Sequence, residues 1–177
     1  MTEHTELITG PSLFVRLGKY KRTGKVFFSP DITIREFYRH SKTHDGKLIV
    51  TLNAGGGPDF ILNPERMNLI LWSVYSNKAL VGTIIDSDTP YDPANPPHIN
   101  GFSVPSPWDR LDMKVWVAVE DVHLVTIDVR QYQTWPREAS GRKIEGLEDT
   151  LKRPGAYLQR IQPKPTAISF EEPPTTR

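Results

Sequence analysis

The sequence contains no cysteine, so any chemistry in this chain has to come from other side chains, histidine, carboxylate, serine and aromatic groups first among them. That excludes a thiolate nucleophile, a disulfide framework and a cysteine-ligated zinc, and it points to the cytoplasm as the natural compartment. The five histidines, His4, His40, His44, His98 and His123, show no HExxH or paired metal-ligand spacing. His40 and His44 are four apart, but in a basic segment that repels a cation. Asp86, Asp88 and Asp92 have the oxygen ligands for a divalent ion, and equally the composition of a turn-rich polar loop. There is no GxSxG elbow, and Asp112-Met113-Lys114 is a fragment of a nuclease-like pattern with no partner acid in view. The expectation is a binding domain rather than an enzyme, without metal or cofactor.

Two other residue sets suit a different chemistry. A nucleobase offers two flat faces and a polar edge, so a protein that holds one needs rings to stack on it and polar groups at the rim. The candidates are Trp72, Tyr75, Ser76, Trp108 and Asn53. Trp108 lies in Ser106-Pro107-Trp108-Asp109-Arg110, where no strand pattern demands an apolar residue, and its alternative is a loop anchor. For Trp72, and for Trp116, the alternative is core packing within a strand. Tyr75 and Ser76 end a strand, where a hairpin-flanking role is the alternative. Asn53 opens the loop Asn53-Ala54-Gly55-Gly56-Gly57-Pro58, which lacks the spacing of a phosphate-binding fingerprint and reads equally as a plain turn. Trp135, before Pro136, would cap the fold.

Charge is uneven along the chain although the net is only +1. From Arg16 to Lys47 nine Lys/Arg stand against three acids, and from Ala54 to Ile127 four stand against nine. Lys19, Lys21, Arg22, Lys25, Arg35, Arg39 and Lys42 are therefore candidate phosphate contacts, with a solvated basic face as the alternative.

The elements that must carry these residues can be read from periodicity and turn signals. At 177 residues the chain is about one domain. Ser12 to Leu17 alternates as a strand and is followed by a Gly/Lys-rich connection. Ser29-Pro30-Asp31 starts a helix running to Lys42, with Ile34, Phe37 and Tyr38 on its apolar side and Arg35, Arg39 and Lys42 opposite. Lys47 to Leu52 is a strand. Asn68 to Ser76 and Ala79 to Ile85 form a hairpin turning at Asn77-Lys78. Asp86 to Asp112, with six prolines, is an irregular crossover. Met113 to Val119 and His123 to Val129 are strands with Glu120-Asp121 as a bend or bulge between them, Ile144 to Arg153 is a short helix, and Tyr157 to Ile161 is a last strand. No stretch has the roughly 20 apolar residues of a membrane span. Six or seven short strands with two helices suggest an α+β fold built on a closed or nearly closed barrel. Residues 1–162 form a single domain and 163–177 a flexible Pro-rich tail.

Taken in order, the signals from Pro64 to Ile161 resemble the PUA-like superfamily that contains the EVE and YTH domains. The resemblance is carried by NLILWSVYSNKALVG (Asn68 to Gly82), by Pro90-Tyr91-Asp92-Pro93, by the strand pair of Met113 to Val129, and by Gly146 to Ile161. It departs in the first third, where EVE domains have a tryptophan ahead of an Arg-Asn pair and this chain has Thr51 to Gly57. The resemblance implies a small barrel of about six strands flanked by short helices, holding a modified base, flipped or unpaired, in an aromatic pocket. It also implies the specificity module of a modification-dependent restriction or similar system, acting with a nuclease or NTPase effector. DNA is favoured over RNA; the alternatives are an RNA-modification reader or a protein-interaction domain using the Pro-rich crossover.

Overall fold

The computed structural model describes residues 5–17, 20–22, 25–53, 67–135, 143–151 and 158–165, with backbone alone at 20–22, 25–27 and 158–159. Among the described residues nine strands and two α-helices follow one another: β1 Ser12–Arg16, β2 Tyr20–Arg22, β3 Lys25–Phe28, α1 Pro30–Lys42, β4 Leu48–Leu52, β5 Asn68–Trp72, β6 Lys78–Asp88, β7 Val115–Thr126, β8 Tyr132–Thr134, α2 Leu147–Thr150 and β9 Leu158–Pro163. Seven strands make one sheet in the order β4-β7-β6-β5-β1-β9-β8, and β2 and β3 pair separately. Among the described strands only the β1–β5 pair is parallel, Ser12 to Arg16 against Asn68 to Trp72. A parallel pair needs a long connection, and this one carries α1 across the sheet.

The α+β class expected from the sequence is what the chain adopts, but the sheet does not close, so the barrel is corrected to an open sheet. Closure would require β4 to meet β8. Instead each edge strand is satisfied by irregular chain, the usual remedy for unpaired edge groups. Along β4, the Ile49 N–H donates to the Ser103 carbonyl at 2.9 Å. Along β8, the Thr134 N–H donates to the Glu145 carbonyl at 2.8 Å, beside a bridge between Gln133 and Gly146.

Strand alternation sorts the apolar residues onto two faces. Leu13, Val15, Leu69, Leu71 and Leu80 point one way, joined by Leu48, Val50, Val115 and Val117, and pack against Ile34 and Phe37 of α1. Phe14, Ile70, Trp72 and Val81 point the other way, onto Ile8, Ile127, Tyr132 and Leu147. Ile49, Trp116 and Ala118 form a third cluster, covered by Tyr91 and Met113 from the crossover.

Several element boundaries differ from the sequence reading for local reasons. α1 starts at Pro30 because Ser29 Oγ accepts the Ile32 N–H at 3.3 Å and proline occupies the first turn. The Gly/Lys-rich connection holds the short β2–β3 hairpin. β5 stops at Trp72, and the hairpin turns through residues 73–78: the Ser73 N–H donates to the Lys78 carbonyl and the Asn77 N–H to the Ser73 carbonyl, with Asn77 at φ 57°. The two strands expected on either side of Glu120-Asp121 are one strand, β7, and the bend or bulge expected there is a bulge at Asp121, where φ is 54°. There β6 and β7 change register around Gly82, where an added Cβ would stand 3.1 Å from both the Glu120 oxygen and the Val119 Cβ. The helix expected over 144–153 is the single turn α2, and β9 runs one residue past the expected domain end at 162. The greater part of the expected tail, residues 166–177, falls outside the described residues. No helix among the described residues is long and apolar enough to cross a membrane.

Candidate nucleic-acid interface

The five residues read as a base pocket do not come together. Trp108 opens a single 3₁₀ turn, Trp108–Arg110, and is only 4% exposed. Its ring lies 4.9 Å from that of Phe28 and 4.7 Å, edge to face, from that of Phe37. It fills the core beneath α1 and has no free face for a base. Trp72 is 3% exposed and sits on the opposite side of the sheet, 5.7 Å from Phe14, with its Nε1 buried and unbonded. Two rings separated by a sheet cannot sandwich one base, so the single aromatic pocket is corrected. Trp116 packs in the third cluster, and Trp135, partly exposed, is tied by its N–H to the Arg160 carbonyl.

Asn53 and Tyr75 are also far apart. Asn53 follows β4 and accepts the Lys114 N–H on Oδ1 at 3.3 Å, next to the Val115 end of β7. The 73–78 turn lies at the other end, where Lys78 pairs with Thr126. The glycine loop after Asn53 falls outside the described residues.

A different grouping does form, at the start of α1. Ser76 Oγ donates to Asp31 Oδ1 at 2.5 Å, which seats the hairpin turn against the first turn of the helix. Tyr75, in that turn, is 61% exposed. From Asp31 the helix carries Arg35, Arg39 and Lys42 along its outer side, each exposed. Arg35 Nε and Arg39 Nη1 both approach Glu36 Oε1, at 3.5 and 3.7 Å, and Lys42 Nζ stands 5.1 Å from the Tyr38 ring centre. One carboxylate is thus shared between two guanidinium groups, leaving a positive excess on this face. By their backbone Lys21, Arg22 and Lys25 fall on the β2–β3 hairpin; Lys19 lies outside the described residues.

Sequence reasoning missed a second polar grouping, at the other end of α1. His40 Nε2 is 2.8 Å from Ser103 Oγ, and the His44 ring stacks on that of His40 with centres 4.0 Å apart. Burial, and then His44 beside it, hold His40 below the ordinary histidine range, against the opposing pull of Ser103 and Asp109. The i, i+4 histidine spacing was visible in sequence; Ser103, 63 residues on, was not. A Ser–His contact has the spacing of nucleophile and base. Among the described residues the carboxylate that acts on His40 is Asp109, through space, and its Oδ1 is buried without a hydrogen-bond partner.

The acidic residues expected in the crossover bond to nearby backbone, Asp86 and Asp88 from the end of β6 and Asp92 from the crossover itself. Asp86, Asp88 and Asp92 each accept a nearby backbone N–H, from Ser87, Thr89 and Ala94, at 2.8 to 2.9 Å. Among the described residues no three metal-ligating side chains gather.

Compared with family models, curated proteins and solved structures, the chain has no match in any of the three.

Proposed function

We propose that this chain binds nucleic acid through the outer side of α1 and the adjoining 73–78 turn. In this reading Arg35, Arg39 and Lys42 contact phosphates, and Tyr75 offers its ring to an unpaired or extruded base. The observation that carries it is the Ser76–Asp31 hydrogen bond, because it fastens the turn that bears the exposed Tyr75 to the first turn of the helix whose outer side bears the cations. Backbone-tracking cations next to a stacking ring are the two parts that single-strand recognition needs. The finer part of the proposal is preference for a modified base and for DNA over RNA, with any cleavage left to a nuclease or NTPase partner.

Labelled single-stranded oligonucleotides, DNA and RNA, with and without a base modification, would be titrated by fluorescence anisotropy at several salt concentrations. Three phosphate contacts give a log–log salt slope of about −2, at about −0.7 per contact on single strands. Arg39→Ala makes the slope shallower by about 0.7, and Tyr75→Ala costs about 1–3 kcal/mol at every salt concentration. Absence of binding, or binding that neither substitution alters, rejects the proposal. Equal affinity for modified and unmodified strands rejects its finer part alone.

A further inference from the structure

An asparagine is most open to attack by its own main chain when glycine follows it, because the attacking nitrogen then has no neighbouring Cβ to block its approach. The sequence has one such pair, Asn100-Gly101. It occupies the middle of a turn in the crossover, where the Phe102 N–H donates to the Ile99 carbonyl at 3.0 Å and Gly101, at φ 84°, makes the turn type II. Both residues are exposed. The central N–H takes no part in the hydrogen bond of such a turn, and among the described residues the Gly101 N–H has no partner. The flanks are held: Ile99, Phe102 and Val104 pack on the Ile49 cluster, and the Ser103 carbonyl takes the Ile49 N–H.

We propose that Asn100 is a site of spontaneous covalent modification, its carboxamide passing through a cyclic imide with the Gly101 nitrogen to a mixture of aspartate and isoaspartate. The proposal stands independently of the nucleic-acid reading. The Gly101 nitrogen gives its proton to hydroxide, and its electron pair forms a bond to Asn100 Cγ. The Cγ–Nδ2 bond breaks, and that nitrogen leaves as ammonia after taking a proton from water. Water then opens the ring. Cleavage of the new N–Cγ bond gives aspartate; cleavage between the Asn100 main-chain carbonyl carbon and the same nitrogen gives isoaspartate, whose main chain runs through the former side chain. Glycine at 101 lets the Asn100–Gly101 peptide rotate between the two signs of φ, which carries the nitrogen across the face of the carboxamide.

Lys47 adds a cation where negative charge develops. A Cβ at position 101 would stand 3.3 Å from Lys47 Nζ, so the ammonium lies against the residue whose nitrogen must lose its proton, and it favours the charged form. The other described asparagines lack this combination. Asn95 precedes a proline, which has no N–H to lose. Asn77 precedes Lys78, whose N–H donates to Ser76 Oγ at 3.3 Å. Asn68 lies in β5 with its Nδ2 held by the Thr9 carbonyl at 3.0 Å, and Asn53 Oδ1 accepts the Lys114 N–H. In the related pair Asp45-Gly46, the Gly46 N–H is committed to the Ser41 carbonyl at 2.8 Å. The product at Asn100 is a new carboxylate beside Lys47, in the segment that covers the edge of β4.

The test is to incubate the whole folded chain in water labelled with heavy oxygen and to map its peptides by mass spectrometry over time. Asn100 is expected to be lost with first-order kinetics, to take up the label, and to yield separable aspartyl and isoaspartyl peptides. The loss runs severalfold faster at mildly alkaline than at mildly acid pH, and Asn53, Asn68, Asn77 and Asn95 stay intact while it proceeds. Asn100→Gln, an exposed change that needs a larger ring, removes the signal. Lys47→Met, which keeps the aliphatic stem lying on Gly101, slows the conversion severalfold; an unchanged rate there overturns the part given to the ammonium. An Asn100 amide still intact in the folded chain after the same chain in urea has lost it overturns the proposal, and so does loss from Asn53, Asn68 and Asn77 at an equal rate.

Discussion

Trp108 is the residue whose surroundings say most about reading single side chains. It follows Pro105 and Pro107 in an irregular segment, where no local pattern calls for burial, yet it is packed between Phe28 and Phe37. Removing a buried ring of this size costs about 3–5 kcal/mol. Trp108→Ala is therefore expected to lower the urea midpoint sharply, whatever its effect on ligands, and a loss below about 1 kcal/mol would contradict the packing described. Tyr75 is the opposite case. Its substitution by alanine, judged from the same unfolding curves, leaves stability nearly unchanged, so any loss of oligonucleotide binding in that variant belongs to the surface. Trp108 was legible as important but not as core, because what buries it comes from α1 and β3, far away in sequence.

At the scale of elements, α1 was the most legible part of the fold. Its start is written locally: Ser29 caps, Pro30 presets the first turn, and Ile34 and Phe37 repeat along the buried side. Ser29→Ala should cost about 1 kcal/mol, measured by denaturant unfolding, since it strips the Ile32 N–H of its acceptor. β6 and β7 depend on something less visible. Their register shift brings the backbone at Gly82 so close to Val119 and Glu120 that an added Cβ would make its neighbours give by a few tenths of an ångström. Gly82→Ala is accordingly expected to destabilise by about 1–3 kcal/mol, the usual range for overpacking; a neutral result would show that the neighbours yield freely. β2, β3 and β8, of three or four residues each, escaped the sequence reading because so short a run carries too little alternation to register.

For the whole molecule the governing fact is that one sheet divides two cores. β1, β5 and β6 contribute to both, Leu13 and Val15 to one and Phe14 to the other, with the same alternation along β5. Neither core can dissolve while the shared strands remain paired. Unfolding followed by far-ultraviolet circular dichroism and by tryptophan fluorescence, which samples Trp108 on one side and Trp72 on the other, should therefore give coincident urea transitions; two separated midpoints would show that the faces melt independently. Read by itself, the sequence determined the α+β class, the helix and its N-terminal cap, the places of β1, β4 and β5, and the basic side of α1. These follow from periodicity and capping, which act over a few residues. Tertiary structure alone decided that the sheet stays open, that Trp72 and Trp108 face opposite ways, and that Ser76 reaches Asp31 and Ser103 reaches His40. Each of those depends on which distant segments become neighbours, and a local pattern carries no such information.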